Sequence, residues 1–338
     1  MRRKRINDLE DEHQYDADDD WIDDAVQIHY TDDMGKNRIL DYESEITVID
    51  LRRRTVASID LSPLISCPNL VKLILSGTKL KDVNLTPLKS CPSLQELWLN
   101  QNHLQDIDLS PLSSHPNLQR SFLGQNQFRR IDLTPLSSCA NLQDLGLGMN
   151  QLETIDLTPL SSCSSLQELD LYDNQLREID LSPLSSCTDL KSIRLFHNLL
   201  KNIDLTLLSS CVSLEWIDLS RNQLQSINLC SAANLKSIEL WQNQLRTIDL
   251  RPLSNCPKLE MLELWTNQLD SIDLTPLSSS GNLGSLRLSQ NNLRSVDLTP
   301  LSSCRNLYEL WLSFNPLESL DLTPLKSCTN LEDSRVVL

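Results

Sequence analysis

The stretch LQELWLNQNHLQDIDLSPLSSHPN, residues 94–117, indicates the architecture of this chain because it recurs along most of the sequence. Its units are 24 residues long, except that the step from Leu214 to Leu235 is 21 residues. Self-similarity at a fixed period of this size indicates stacked structural repeats. The units begin at Ile46, Leu70, Leu94, Leu118, Leu142, Leu166, Leu190, Leu214, Leu235, Leu259, Leu283 and Leu307, and an incomplete one begins at Leu331.

Each unit reads L-x-x-L-x-L-x-x-N-x-L-x-x-I-D-L-[ST]-P-L-x-x-C-x-[NS]. The L-x-L alternation predicts a short strand with its leucines turned inward, and the Asn after it can satisfy backbone groups where the chain turns. The first eleven positions resemble the leucine-rich repeat, and the resemblance covers about residues 46–338. It implies an α/β repeat solenoid, a horseshoe with a concave parallel β-sheet and short helical turns on the convex face.

The second half of each unit predicts the return path. Ser or Thr is a natural N-cap and Pro fits the first helical position, so T-P-L-S-S-C should form one helical turn. The short unit, residues 214–234, lacks the T-P-L-S-S piece, so its outer turn around Cys230 should be tighter. Leu207 replaces Pro in the unit before it, which places two irregularities side by side.

Three segments are expected along the chain. Residues 1–25 are acidic and poor in aliphatic residues, which predicts a disordered tail. Residues 26–45 alternate apolar side chains around Asp33-Met34-Gly35 and predict a hairpin that caps the array. Residues 46–338 form the solenoid of about 12 repeats, the last one incomplete. At its C-terminal end the sequence begins another strand with no polar cap after it.

A column of cysteines runs through the repeats, and His115 and Ser280 interrupt it. Stacked thiols invite a metal-site interpretation, but zinc sites usually pair closely spaced ligands such as C-x-x-C, and none exists here. Buried packing of small side chains is the better account. The column comprises Cys67, Cys91, Cys139, Cys163, Cys187, Cys211, Cys256, Cys304 and Cys328.

A column of aspartates also follows the repeat, although carboxylates ~5 Å apart repel each other by ~1–3 kcal/mol. Each Asp should therefore accept a compensating hydrogen bond from a backbone N–H or a Ser/Thr hydroxyl at the start of the outer turn. Cation binding along the column is the alternative. The column comprises Asp60, Asp108, Asp132, Asp156, Asp180, Asp204, Asp249, Asp273, Asp297 and Asp321, with Asn84 and Asn228 substituting.

Composition excludes several classes of function. The net charge is −16, and residues 1–45 carry fifteen acidic against six basic residues, so neither nucleic acid nor an anionic membrane is expected as a partner. With only 7 glycines and 5 scattered histidines, the sequence shows no phosphate-binding loop and no catalytic motif. We expect no enzyme, no metal and no cofactor. We expect neither a secretory signal nor a membrane span, so the ten cysteines should be free thiols in a reducing, cytoplasmic compartment.

Large side chains collect at the strand positions that the repeat leaves free. Aromatic residues there, with interleaved charges, are typical of a protein interface. A patch of Trp216, Trp241 and Trp265 with three acids is expected to bind Lys or Arg of a partner. The candidate site comprises Trp98, Phe122, Asp170, Tyr172, Arg194, Phe196, Trp216, Asp218, Glu239, Trp241, Glu263, Trp265, Arg287 and Trp311.

The N-terminal half of the concave face looks different, because Arg52, Arg53, Lys72 and Arg120 predict a basic surface there. Gly146 and Gly148 replace larger side chains on one strand, next to Ser121 in a leucine position. They are either tolerated irregularities or the floor of a small recess, and the sequence does not decide between the two.

The sequence favours a non-enzymatic scaffold or adaptor that binds a protein partner of basic or mixed charge on an aromatic, acidic concave face. The resemblance implies this mode of action and not the partner. The alternative function is a structural, self-assembling element that associates through the uncapped C-terminal edge.

Overall fold

The computed structural model describes residues 25–331 and 336–337. Thirteen parallel strands form one open sheet, each strand paired with its neighbour in register. The predicted disordered tail lies almost wholly outside the described residues. In order along the sheet the strands are β3 (Val48–Asp50), β5 (Lys72–Ile74), β6 (Glu96–Trp98), β7 (Arg120–Phe122), β8 (Asp144–Gly146), β9 (Glu168–Asp170), β10 (Ser192–Arg194), β12 (Trp216–Asp218), β14 (Ser237–Glu239), β15 (Met261–Glu263), β16 (Ser285–Arg287), β17 (Glu309–Trp311) and β18 (Val336–Val337).

The core is one continuous column of aliphatic side chains between the sheet and the outer turns. The central residue of every strand from β5 to β17 points inward; in β12, for example, Ile217 is buried and aligns with Ile193 and Ile238 on the neighbouring strands. Neighbouring strands lie ~4.8 Å apart, so each unit covers the apolar face of the next. The solenoid predicted from the repeat is confirmed.

The return path of most units is a short 3₁₀ helix. Its backbone bond runs three residues back, as from the Leu136 N–H to the Leu133 carbonyl. This tighter turn suits a five-residue segment, which is too short for a useful α-helix. The helices are η1 (Ser62–Ser66), η2 (Thr86–Ser90), η3 (Ser110–Ser114), η4 (Thr134–Ser138), η5 (Thr158–Ser162), η6 (Ser182–Ser186), η7 (Thr206–Ser210), η8 (Arg251–Asn255), η9 (Thr275–Ser279), η10 (Thr299–Ser303) and η11 (Thr323–Ser327).

The prediction that Ser or Thr caps these turns was wrong. Leu occupies the N-cap and makes no side-chain cap bond, while Ser or Thr is the first helical residue and Pro the second. The aspartate column supplies the missing acceptor instead: Asp132 Oδ1 accepts the Thr134 N–H at 2.9 Å, and the equivalent bonds are 2.8–3.0 Å along the array. The expected hydrogen bond to the start of the turn is therefore confirmed.

Each strand ends in a tight bend that a buried Asn stabilises. In the unit of β6, Gln101 adopts a left-handed backbone conformation with φ 61°. The side chain of Asn102, the next residue, donates to the carbonyls of Leu75 and Leu99 at 2.8 and 2.9 Å and accepts the Leu80 N–H at 3.0 Å. One amide thus satisfies backbone groups of two successive units, which explains why the repeat contains it.

At the N-terminal end, a hairpin packs against the first turn of the array. Its strands are β1 (Ala25–Thr31) and β2 (Asn37–Glu43), joined by the turn around Gly35 at φ 76°. β1 also pairs antiparallel with β4 (Ser58–Asp60). Val26, Ile28 and Tyr30 alternate into the core and cover its N-terminal end.

The short unit keeps the sheet regular and changes the outer face. β14 pairs with β12 in the usual register, although no 3₁₀ helix precedes it in this unit. On the outer side, β11 (Asn202–Asp204) and β13 (Ser226–Asn228) form a two-stranded parallel sheet instead. Cys230 is buried beside Cys211 and Cys256. It therefore belongs to the cysteine column, although the register of the repeats did not include it.

The cysteine column is buried packing, as predicted. All ten thiols are buried and unpaired, and most contact a Leu carbonyl of the preceding unit, for example Cys91 Sγ to the Leu64 carbonyl at 3.4 Å. His115 fills its gap in the same way, with Nε2 2.9 Å from the Leu88 carbonyl. No group of His, Cys, Asp and Glu within residues 25–331 is arranged to hold a metal ion.

Candidate protein-binding face

Three rows of side chains line the concave face. The first residue of each strand forms the first row, and the third residue forms the middle row. The residue two places after the end of each strand forms the last row. The 14 candidate residues divide among them. The middle row holds Trp98, Phe122, Asp170, Arg194, Asp218, Glu239, Glu263, Arg287 and Trp311; the last row holds Tyr172, Phe196, Trp241 and Trp265; the first row holds Trp216.

Aromatic side chains on neighbouring strands contact one another in pairs. Tyr172 stacks on Phe196 and Trp241 on Trp265, each pair with ring centroids 4.7 Å apart and planes within 5° of parallel. Trp98 meets Phe122 edge to face at the same centroid distance. The strand spacing of ~4.8 Å brings equivalent side chains to stacking distance. None of these rings enters the hydrophobic core, although Lys72 Nζ lies 4.5 Å from the Trp98 ring centroid and covers one face of that ring.

Trp216 is separated from the Trp241–Trp265 pair. It lies in the first row, its side chain is 44% exposed, and the Nζ of Lys236 lies 5.0 Å from its ring centroid. The middle row of acids runs between Trp216 on one side and the stacked indoles on the other. The three tryptophans of the predicted patch therefore form two walls of a trough and not a single cluster.

The middle row contains an uninterrupted run of acids, which we call the acidic run: Asp218, Glu239 and Glu263, on three neighbouring strands. Arg287 closes one end, with Nη1 2.6 Å from Glu263 Oε1 and Nη2 2.9 Å from Glu309 Oε2. Asp218 accepts hydrogen bonds from the Ser220 backbone and hydroxyl at 3.0 and 2.6 Å.

Glu239, in the middle of the acidic run, forms no ion pair with any residue in 25–331. Its hydrogen bond from Trp241 Nε1 is long, at 3.3 Å. Burial raises the pKa of Glu239 to about 6, and the carboxylate of Asp218 adds to the rise. Burial also raises the pKa of Asp218 against the lowering effect of its bonds to Ser220. These carboxylates would gain from a cation supplied from outside.

The N-terminal end of the face is less basic than its residue types predict. Glu96 lies between two basic side chains, 2.5 Å from Lys72 Nζ and 3.2 Å from Arg120 Nη1, and Arg120 Nε lies 2.7 Å from Asp144. Arg52 pairs with Asp50 at 2.7 Å. Since these cations have acidic neighbours, the expected basic surface is largely neutralised.

Beside the acidic run lies a depression of about 520 Å³ that the sequence did not indicate. Ser237 and Met261 of the first row lie on its floor, Trp216 forms one wall, and Tyr308 the other. Gly284 keeps it open, because a Cβ there would lie 2.5 Å from Tyr308 Cε1. Ser237 in the first row and Gly284 just before β16 were the available signal in the sequence.

The two glycines that the sequence singled out lie under aromatic rings. A Cβ at Gly146 would lie 3.0 Å from Phe122 Cδ1, and one at Gly148 would lie 2.5 Å from Tyr172 Cε1. Between these rings remains a recess of about 110 Å³, which also touches Asp170. The structure therefore decides the question left open by the sequence: the glycines floor a small recess.

Stability should rise as the pH falls from 7 to 5 and should decrease again below about 4. Asp170 and Glu239 have folded-state pKa values raised to about 6, so each costs stability as an anion and the cost disappears on protonation. Asp132, Asp156 and Asp297 of the aspartate column have lowered pKa values, because they accept hydrogen bonds at the start of the outer turns, so their contribution to stability is present above the unfolded-state pKa and is lost in acid.

Urea unfolding at a series of pH values measures this effect, which should be roughly 1–2 kcal/mol for each raised carboxyl. In the double variant Asp170→Asn with Glu239→Gln, the rise between pH 7 and 5 should be largely absent. A wild-type protein that loses stability steadily from pH 7 downward would contradict the assignment.

An open solenoid with a buried leucine column, an asparagine bend and a variable inner sheet face defines the class of leucine-rich repeat solenoids. Family models agree: one described as a BspA type leucine rich repeat region matches residues 226–336, a leucine rich repeat model matches 164–224, and a two-copy leucine rich repeat model matches 68–114. The chain belongs to the leucine-rich-repeat proteins. A comparison with curated protein sequences gives no match.

Solved structures of the same fold come from distant organisms. A leucine-rich-repeat protein of Leptospira interrogans superposes with a TM-score of 0.72 at 22% identity, over 87% of this chain and 70% of that one. The plant peptide hormone receptor RGFR1, in complex with RGF2, gives 0.72 at 22% over 86% and 51%. The Toll–Spatzle complex of Drosophila gives 0.72 at 21% over 81% and 37%. At these identities the likeness shows the fold.

None of the helices in the described part of the chain is both long and apolar enough to span a membrane.

Proposed function

We propose that this protein is a non-enzymatic scaffold or adaptor that binds a basic segment of a protein partner on the C-terminal half of its concave face. Leucine-rich-repeat folds generally mediate protein–protein interaction, and two of the similar structures are complexes. The observation that carries the proposal is the acidic run, in which the half-buried carboxylate of Glu239 lies between Asp218 and Glu263 and has no ion-pair partner among residues 25–331.

The walls of the trough fit the same ligand. The outer faces of the stacked Trp241 and Trp265 rings, and the face of Trp216 that Lys236 does not cover, offer π-surfaces to a Lys or Arg side chain of the partner. The charge of that side chain would lie beside the acids between the two walls. Tryptophan at the centre of an interface usually contributes a large share of the binding energy. Aromatic residues nearer the N-terminus, Trp98 and Phe122, and Trp311 at the other end extend the proposed contact surface.

Selection of twelve-residue peptides from a phage-displayed library on the immobilised protein tests this function. We expect enrichment of peptides that place Lys or Arg beside an apolar residue. The double variant Trp241→Ala with Trp265→Ala should bind the selected peptides about 30-fold more weakly, which corresponds to the ~2 kcal/mol typical of a central aromatic contact. Glu239→Gln should also weaken the binding of the selected peptides.

Phe314→Ala is the matched control, because Phe314 is 79% exposed but lies outside the three rows. Its affinities should equal those of the wild type. Enrichment of acidic peptides, or undiminished binding to the double tryptophan variant, would show that the partner binds elsewhere.

We propose a cytoplasmic location as well, because ten unpaired, buried cysteines suit a reducing compartment.

Self-assembly through the C-terminal edge stays a prediction. There, β18 pairs with β17 and aligns Val336 with Leu310, a spacing of 26 residues in place of the usual 24. Light scattering over a range of protein concentrations distinguishes a scaffold monomer from an assembling element.

A further inference from the structure

The recess above Gly146 and Gly148 has a composition unlike the rest of the concave face. It is the gap between two aromatic pairs, because Phe122 is paired with Trp98 and Tyr172 with Phe196. Both rings lean over β8 from its two neighbouring strands, since neither Gly146 nor Gly148 has a side chain to hold them away. Gly124 continues the floor. We call this site the glycine recess.

One acidic side chain enters the glycine recess. Asp170 is the cross-strand neighbour of Gly146. Because Gly146 has no side chain, the carboxylate of Asp170 is open to the recess on that side. On the opposite flank, Arg194 Nε lies 2.8 Å from Asp170 Oδ1, yet this oxygen accepts no hydrogen bond of acceptable geometry. Burial raises the pKa of Asp170 to about 6, although the charge of Arg194 acts to lower it.

Size and charge together define the ligand. At about 30 Å³ per water molecule, the recess of about 110 Å³ has room for three or four waters, or for a compact ammonium with a few methylenes. Two ring faces and a carboxylate are the groups that attract such a cation. We propose that the glycine recess binds a primary ammonium group, the end of a lysine side chain presented by a partner protein.

This site is separate from the acidic run proposed above, and the two are tested independently. The chain has only 7 glycines, so a protein labelled with ¹⁵N-glycine gives a simple amide spectrum. Gly124, Gly146 and Gly148 report on the glycine recess, whereas Gly284 reports on the depression beside the acidic run. The open positions Gly35 and Gly281 serve as internal references.

The experiment titrates the labelled protein with n-butylammonium and, in parallel, with the neutral analogue n-butanol. We expect saturable shifts of the three recess glycines with butylammonium, and much smaller shifts with butanol at the same concentration. Asp170→Asn should weaken the butylammonium interaction by at least about tenfold, because it removes the charge from the site.

Gly148→Ala should abolish the shifts of Gly124 and Gly146, because the new Cβ displaces the Tyr172 ring. Gly281→Ala is the matched substitution, since a Cβ there meets nothing within 4 Å, and it should bind butylammonium as the wild type does. Unchanged positions of the remaining glycine signals show that each variant is folded. Equal shifts with butanol, or shifts confined to Gly284, would overturn the proposal.

Discussion

A water-soluble aromatic disulfide reagent at pH 8 should leave the ten cysteines of the native protein almost unmodified and should react with all ten after unfolding. Every thiol is buried. Burial raises the pKa of Cys91, Cys163 and Cys230 to about 12 from an ordinary value of 9.0. Only the thiolate attacks the reagent, so this shift alone lowers the reactive fraction about a thousandfold.

Release of the coloured thiolate product, followed in buffer and in denaturant, measures the effect. Cys67 and Cys328 should be modified first, because they lie in units near the ends of the array, where local opening costs least. Ser137→Cys supplies a positive control, since it places one thiol on the exposed side of η4, two residues from the buried Cys139. Fast modification of an interior cysteine in the native protein would disprove the buried column.

Replacing Asn174 with leucine should lower the free energy of unfolding by about 3–5 kcal/mol. The Asn174 side chain accepts the Leu152 N–H at 3.0 Å and donates to the carbonyls of Leu147 and Leu171 at 3.1 and 3.0 Å. Leucine makes none of these bonds, and each buried backbone group left unsatisfied costs ~1–3 kcal/mol. The loss reaches two neighbouring units at once.

Urea unfolding monitored by far-ultraviolet circular dichroism measures the change. Asn141→Leu is the matched control, because Asn141 is exposed and makes one hydrogen bond, to the Pro116 carbonyl at 3.0 Å. Asn141→Leu should lower the free energy of unfolding by well under half as much as Asn174→Leu does. Equal losses in the two variants would show that the buried amide has no special role in the array.

The repeat made much of this structure predictable. The strands, the inward leucines, the bends at Asn102 and its equivalents and the burial of the cysteines all followed from the register of the units, because each is a local consequence repeated many times. The hydrogen bond that the aspartate column accepts at the start of each outer turn was predicted as well. The cap of the outer turn was not: the 3₁₀ geometry moves the helix start by one residue and makes Leu133 the N-cap.

The candidate face was predictable as a list of residues and not as an arrangement. Trp216, Trp241 and Trp265 occur in successive units, but their strand positions differ, so they lie in different rows with acids between them. The charges of Arg120 and Arg287 are also less available to a partner than the sequence suggests, because each arginine contacts carboxylates on both neighbouring strands.

The sequence by itself determined the solenoid, because leucines at a fixed period can be buried only by stacking each unit on the next. Tertiary structure alone decided what the inner face can bind. Ion pairing between strands, the leaning of Phe122 and Tyr172 over glycines and the place of Cys230 all depend on residues 19–26 positions apart that meet between neighbouring units. Such contacts depend on rotamers and neighbours, which a repeat pattern does not specify.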